Sequence, residues 1–150
     1  MKLHKIAVAT LALGIAAGAL AQAKPEEVMV KQRQAAMTLQ GKYFGPMAAM
    51  AQGKAPFNAT VVARNAGYLE ALASMPWDGF DAKTKDVKSA ALPAAYSDTA
   101  KFKQAAENLQ AAVGKLVAAS KGGDEAATKA AIGGVGKTCG GCHDDFRQKP

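Results

Sequence analysis

The stretch that decides how this chain is interpreted lies near its end and reads Cys139-Gly140-Gly141-Cys142-His143. Its spacing, C-x-x-C-H, is the signature for covalent attachment of a c-type haem. Each thiol adds to one vinyl group of the haem, and the histidine that follows can reach the iron as its proximal ligand. On an α-helix these three side chains lie within about 100° of one another around the axis. One helix face can therefore hold the ring and offer the imidazole, so the motif predicts one covalent haem c.

Other hypotheses are compatible with a C-x-x-C pair. A dithiol redox site usually occurs in a βαβ context, and this sequence has no convincing strand pattern. A structural zinc site needs four ligands. The chain has only two cysteines and two histidines, and His4 lies in a segment expected to be removed, so zinc would need a carboxylate such as Asp144 or Asp145. We favour haem attachment; the alternatives are a haem-free thiol oxidoreductase, a helical binding module without redox chemistry, and a chance match to the motif.

The amino-terminal segment has the three parts of a secretory signal peptide. Lys2 and Lys5 form its positive start, residues 6–20 are apolar, and two A-x-A sites follow. We predict cleavage after Ala21, with cleavage after Ala23 as the alternative. The apolar run is short for a membrane span of about 20 residues, so a retained anchor is the weaker interpretation.

Export would determine the length of the mature chain and the compartment in which it acts. Removal of residues 1–21 leaves residues 22–150, which is the length of one domain. Haem is attached to C-x-x-C-H proteins outside the cytoplasm, so we predict a periplasmic protein with no membrane association after cleavage. The net charge is +7 for the full chain, but no Lys/Arg-rich run is present. We therefore expect no nucleic-acid binding; a modest basic excess would instead attract acidic redox partners.

Four helical patterns fill the mature chain, at about residues 24–50, 59–74, 94–120 and 124–148. Asn58 and Asp124 are good N-caps, and Gly45-Pro46 is expected to bend or interrupt the first helix. A loop of unusual length runs from Pro76 to Pro93. The inner face of the fourth helix is predicted to carry Ala127, Ala131, Ile132, Val135, Cys139, Cys142 and Phe146. These patterns predict an all-α, antiparallel up-down four-helix bundle with the haem held on the C-terminal helix.

The position of the C-x-x-C-H motif near the end of the chain indicates which class of c-type cytochrome the sequence resembles. In small cytochromes c of the mitochondrial type the motif lies near the start and a ligating methionine follows, but here only seven residues follow His143 and none is Met. A haem motif on the last helix of an exported four-helix bundle resembles cytochrome c′. The resemblance covers the mature chain and includes Lys24 to Glu27 (K-P-E-E), Arg33-Gln34, Pro76-Trp77, and Cys139 to Arg147 (C-x-x-C-H-x-x-F-R).

The resemblance implies roles for the residues of the last motif. Cys139 and Cys142 would hold the haem by thioethers, and His143 would be the proximal ligand of the haem iron. Arg147 matches a basic residue on the proximal side. Phe146 matches an aromatic position packed near the haem.

Two residues of the first helix are also implied. Arg33 matches an arginine near a haem propionate, where a fixed guanidinium suits a carboxylate. Met37 matches the distal position that faces the iron. In cytochromes c′ this position is usually bulky and apolar and the iron is five-coordinate, whereas in a related low-spin branch a methionine at this place ligates the iron.

The resemblance implies a periplasmic c-type haem protein that is five-coordinate, binds NO and CO, and/or transfers electrons. Its distal side would be a small apolar pocket beneath Met37. The alternative within the same fold is a six-coordinate His/Met electron carrier. The family often forms homodimers through its first two helices, and redox partner proteins are expected. We expect no enzyme in the usual sense.

Overall fold

The structure, a computed structural model, describes residues 23–149, in which five α-helices occur and no β-sheet. The helices are α1 (Pro25–Ala51), α2 (Ala59–Leu72), α3 (Ala94–Ser97), α4 (Thr99–Lys121) and α5 (Glu125–Phe146). The four long helices form a ring, with α1 against α2, α2 against α4, α4 against α5 and α5 against α1. The predicted four-helix bundle is therefore confirmed. The predicted signal peptide, residues 1–21, lies outside the described residues, and no helix of the described part is long and apolar enough to span a bilayer.

Side-chain caps begin three of the long helices. Asn58, Asp98 and Asp124 each accept a hydrogen bond at their side-chain oxygen from the backbone N–H three residues on, at 3.0, 3.2 and 3.1 Å. Such a cap satisfies one of the free N–H groups at a helix start. Pro25 occupies the first position of α1, where a missing N–H costs nothing.

The predicted interruption at Gly45-Pro46 does not occur, since α1 is continuous through Pro46. A proline inside a helix costs about 3 kcal/mol. Met47 and Met50, which follow it, are buried in the core. Packing of this last turn against the bundle outweighs the local cost.

The prediction of one third helix from Ala94 to Ser120 is wrong in one respect. The chain leaves helical geometry at Asp98, with φ −100° and ψ 63°, so that a short α3 precedes α4. The carboxylate of Asp98 accepts a hydrogen bond from the N–H of Lys101, which caps the start of α4 and ends α3. Short polar side chains compete with the helix in this way, and apolar periodicity alone does not reveal it.

The buried core lies between the four long helices. Its larger part contains Met47, Val62, Ala66, Leu69, Val113, Leu116, Ile132 and Val135. The predicted inner face of the fourth helix is confirmed except at Ala127, which is exposed, while the adjacent Thr128 is buried. Thr128 is drawn inward because its hydroxyl donates to the carbonyl of Ala119 on α4 at 3.1 Å.

Residues 77–93, the greater part of the long connection between α2 and α3, are named here the covering segment. It contains two short 3₁₀ turns, Trp77–Phe80 and Ala82–Thr84. Its aromatic rings fold back on the bundle: Phe80 lies 4.6 Å from Phe102, ring centre to ring centre. The end of the segment pairs with the end of α5, through an isolated antiparallel bridge between Ala91 and Arg147. The segment therefore forms one side of the bundle.

Candidate haem site

A cavity of about 670 Å³ opens between α1, α5 and the covering segment. All seven site residues predicted from the sequence line it: Arg33, Met37, Cys139, Cys142, His143, Phe146 and Arg147. Six of them lie on α1 and α5, which are far apart in the chain, and Arg147 directly follows α5. Its apolar wall is completed by residues such as Phe44, Leu69 and Phe80.

The C-x-x-C-H motif lies in the last two turns of α5. Cys139 and Cys142 are partly buried and both are free thiols. His143 is exposed at the edge of the cavity, and its backbone carbonyl accepts the N–H of Arg147 at 3.1 Å. The two thiols and the imidazole therefore face one cavity from one helix.

Burial raises the pKa of both thiols. For Cys139 burial outweighs a backbone hydrogen bond that acts in the opposite direction. For Cys142 the pKa is raised by burial first, and then by the negative charges of Cys139 and Asp145. A reactive dithiol needs a lowered pKa, because the thiolate is the nucleophile. The raised pKa values of the two thiols do not favour a reactive dithiol.

The pKa of His143 is lowered, chiefly by partial burial and then by the positive charge of Arg147, while Asp144 acts in the opposite direction. A lowered pKa keeps the imidazole neutral at pH 7. Neutral imidazole is the form that binds a metal.

The α1 wall carries Met37, which is partly buried, and the buried Gln40 one turn later. The sequence predicted an apolar pocket beneath Met37, but Gln34, Thr38 and Gln40 also line the cavity. The amide nitrogen of Gln40 donates to the carbonyl of Leu72 at 2.9 Å, so this wall is fixed to α2. The α1 wall is thus mixed rather than wholly apolar.

Arg33 is buried, with only 3% of its surface exposed. None of the ion pairs among residues 23–149 involves it. Its guanidinium lies 4.2 Å from the ring centre of Phe80 and donates three hydrogen bonds to the covering segment. A guanidinium has five N–H donors. Two N–H groups of Arg33 therefore make no hydrogen bond to the described residues. A buried cation with spare donors at the edge of the cavity suits a carboxylate.

These residues fit a haem. The cavity offers two thiols at the motif spacing, a neutral imidazole, apolar walls and a buried cation for a propionate. A metal ion held by the protein alone has no comparable site, because no group of three or more His, Cys, Asp or Glu side chains occurs within residues 23–149. The zinc hypothesis therefore lacks a ligand set in this part of the chain.

Comparison with known proteins gives the same result. Residues 28–147 match the family model described as Cytochrome C′. The chain belongs to the cytochrome c′ family. Cytochrome c′ from Rubrivivax gelatinosus is 49% identical over 121 residues, which cover 80% of this chain and 94% of that protein. Since the family carries one covalent c-type haem, this chain is a c-type haem protein, and the haem-free hypotheses do not fit it.

Two solved structures extend the comparison to the fold. The crystal structure of cytochrome c′ from Rubrivivax gelatinosus has a TM-score of 0.78 at 47% identity and covers 82% of this chain and 97% of that one. The nitric oxide complex of a point mutant of cytochrome c′ from Alcaligenes xylosoxidans has a TM-score of 0.77 at 38% identity, with 83% and 97% covered.

Several residues of this cytochrome c′ cavity were not predicted from the sequence. Ser89, Ala90 and Ala91 of the covering segment line it, and so does Phe80. Small residues in a loop carry no periodic signal, and their position depends on contacts with Arg33 and with the end of α5. Gln40 lies three residues after Met37 on α1, but this spacing alone does not show that its side chain lines a cavity.

Proposed function

We propose that this cytochrome c′ holds its haem through thioethers at Cys139 and Cys142, with His143 as the proximal ligand, and binds NO and CO on the opposite side. The observation that carries the proposal is that α5 presents both thiols and the imidazole to one cavity whose far wall is α1. The nitric oxide complex of the Alcaligenes xylosoxidans protein supports the choice of gas ligand.

When bound, the haem supplies the iron for a diatomic ligand and for one-electron transfer. The chain's own residues bind and orient it. Arg33 offers two free N–H donors to a propionate, and Phe146, which is buried against Phe102 at 5.1 Å between ring centres, supports the ring from α5. Arg147 lines the same cavity beside His143 and lowers the pKa of its imidazole.

The α1 side leaves a place for a small neutral ligand. Met37 is the residue of this wall that matches the distal position, and a thioether offers no strong hydrogen bond. The polar side chains Thr38 and Gln40 of this wall donate elsewhere, to the carbonyls of Gln34 and Leu72. A neutral diatomic needs no hydrogen-bond donor, so it would be accommodated here. In this proposal Met37 would not ligate the iron, which would be five-coordinate and open to NO and CO on the α1 side.

The second candidate is a six-coordinate electron carrier with His143 and Met37 as axial ligands. The observation that favours it is that Met37 lines the cavity opposite the motif. Ligation by methionine would raise the reduction potential and close the iron to gases.

We further propose a periplasmic location, redox partner proteins and a homodimer. The signal peptide, residues 1–21, would place residues 22–150 in the periplasm, where acidic redox partner proteins are expected. The outward surfaces of α1 and α2 expose three large apolar side chains, Val28, Leu39 and Tyr68. These exposed side chains support a homodimer formed through the first two helices.

Replacement of the two cysteines tests the attachment. The variants Cys139→Ala and Cys142→Ala should each lose one thioether, and the double variant should release its haem on extraction with acidic acetone. Gly140→Ala is the matched control, because an added Cβ atom there meets nothing within 4 Å. Covalent haem in the double variant would overturn the assignment.

A further inference from the structure

Arg33 is bound by the covering segment and not by an acidic residue of the described part of the chain. Its Nη1 donates to the carbonyl of Gly79 and to Oγ1 of Thr84, the latter at 3.0 Å. Its Nη2 donates to Oγ of Ser89 at 3.0 Å. These partners extend from the first turn of the segment to the residues that line the cavity. One side chain of α1 therefore ties down most of the segment.

The contact at Gly79 is close. A Cβ atom added there would lie 2.8 Å from Cβ of Arg33 and 3.1 Å from the backbone oxygen of Met29. The backbone oxygen belongs to α1 and cannot move aside without moving the helix. The first turn of the segment therefore docks on Arg33 only with glycine at this position.

The two hydroxyl groups that accept hydrogen bonds from Arg33 belong to Thr84 and Ser89, which lie in different parts of the segment. Thr84 is fully buried, and its Oγ1 accepts from Arg33 while it donates to the carbonyl of Asp81 at 2.7 Å. Ser89 lines the cavity itself. The hydrogen bonds from Arg33 thus reach both the interior of the segment and the cavity wall.

The segment has a second tie, at its other end. The N–H of Leu92 donates to the carbonyl of Phe146 at 2.9 Å, and the N–H of Gln148 donates to the carbonyl of Ala90 at 2.8 Å. Residues 81–90 of the segment are largely exposed, including Lys85 and Lys88, and Thr84 is the one buried residue among them. A stretch with few buried apolar contacts opens at a lower free energy than the core. Phe80 packs on Phe102 at the start of the segment, but residues 81–90 are held mainly by the two ties.

We propose that Arg33 is a latch that holds the covering segment against α1 as one wall of the haem cavity, and that release of this latch widens the route by which small ligands enter. The proposal rests on the proposed function, because the ligand is the gas bound at the haem. Arg33 acts here as a positioning residue, through the segment and apart from any contact between its free donors and a propionate.

The test uses the holoprotein and leaves Arg33 in place. The double variant Thr84→Val/Ser89→Ala removes two acceptors of the latch and keeps the guanidinium and its charge. Ser120→Ala is the matched control, since Ser120 lies outside the cavity and the segment and its hydroxyl donates to the carbonyl of Val117 in its own helix. One measurement is the rate of native-state cleavage by trypsin after Lys83, Lys85 and Lys88, all exposed residues of the segment. The other is the rate of CO binding after flash photolysis.

The double variant should be cleaved about tenfold faster than wild type, because each lost hydrogen bond raises the population of the open segment. Its CO binding should be faster too, and Ser120→Ala should match wild type in both. Gly79→Ala should reproduce the change without removing a donor or an acceptor. Cleavage at the wild-type rate in both variants would overturn the latch, and faster cleavage with unchanged CO binding would overturn the route. A wild-type protein that takes up no CO would overturn the proposed gas binding, while the cleavage rates would still decide whether Arg33 holds the segment.

Discussion

The side-chain amide of Gln40 donates a hydrogen bond to the backbone carbonyl of Leu72 at 2.9 Å and fixes α1 to the last residue of α2. Gln40 is buried, and it also lines the haem cavity. The orientation of the amide follows from its partner, since a carbonyl only accepts and the nitrogen must face it. The bond therefore joins α1 to α2 beside the α1 wall of the cavity.

Gln40→Leu should lower the free energy of unfolding by about 1 kcal/mol, since the interhelical hydrogen bond is lost. The carbonyl of Leu72 keeps a bond from the N–H of Met75, so a larger loss is not expected. Urea denaturation measures the change. Gln34→Leu, on the same wall but exposed, is the control, and a Gln40→Leu protein as stable as this control would contradict the assignment.

The thiols of the haem-free polypeptide should be slow to react at neutral pH. Burial raises the pKa of Cys139 and Cys142, so a smaller fraction is thiolate at pH 7 than in an unfolded chain. The rate of alkylation by iodoacetamide should rise at higher pH in the folded protein than in urea. Faster alkylation in the folded protein at pH 7 would restore the dithiol hypothesis.

The haem-free protein should be much less stable than the holoprotein. Without the haem a cavity of about 670 Å³ remains beside the core, and the alanine-rich helices have few large side chains to fill it. The double variant Cys139→Ala/Cys142→Ala, purified without haem, should melt at least about 10 °C below the holoprotein, which corresponds to about 2–3 kcal/mol. Equal melting temperatures, measured by circular dichroism at 222 nm, would show that the bundle does not depend on the cofactor.

Met37→Ala should leave a high-spin iron and speed the binding of CO, because a packing side chain is removed from the open side of the cavity. Stopped-flow mixing of the ferrous protein with CO measures the rate. Thr38→Val, which changes a neighbouring residue of the same wall, should leave the rate unchanged. A change of spin state in Met37→Ala would instead identify Met37 as an iron ligand.

Much of the site could be predicted because its determinants are local. Cys139, Cys142 and His143 are held together by the helical repeat of α5, and Arg33 and Met37 share a face of α1 by the same geometry. The apolar residues of the fourth helix also predicted its buried face, except at Ala127. The caps at Asn58 and Asp124 were recognised because the residue type itself determines the hydrogen bond.

What could not be predicted depends on contacts between distant segments. The break at Asp98 lies inside one predicted helical pattern, residues 94–120. Helix α1 passes through Pro46 because Met47 and Met50, which follow it, pack in the core. The bonds from Arg33 to Ser89 and Thr84 join residues more than 50 positions apart. No spacing within the sequence indicates that the covering segment closes over α1.

The most direct test of the central claim is the visible spectrum of the purified protein, produced from the full sequence with haem-maturation machinery, in the ferric and ferrous states before and after addition of CO. A covalent haem with an open side beneath Met37 predicts a high-spin spectrum and ready conversion of the ferrous form by CO. A low-spin spectrum unchanged by CO would contradict the open side and make Met37 the sixth ligand. A protein without a haem spectrum would contradict the account as a whole.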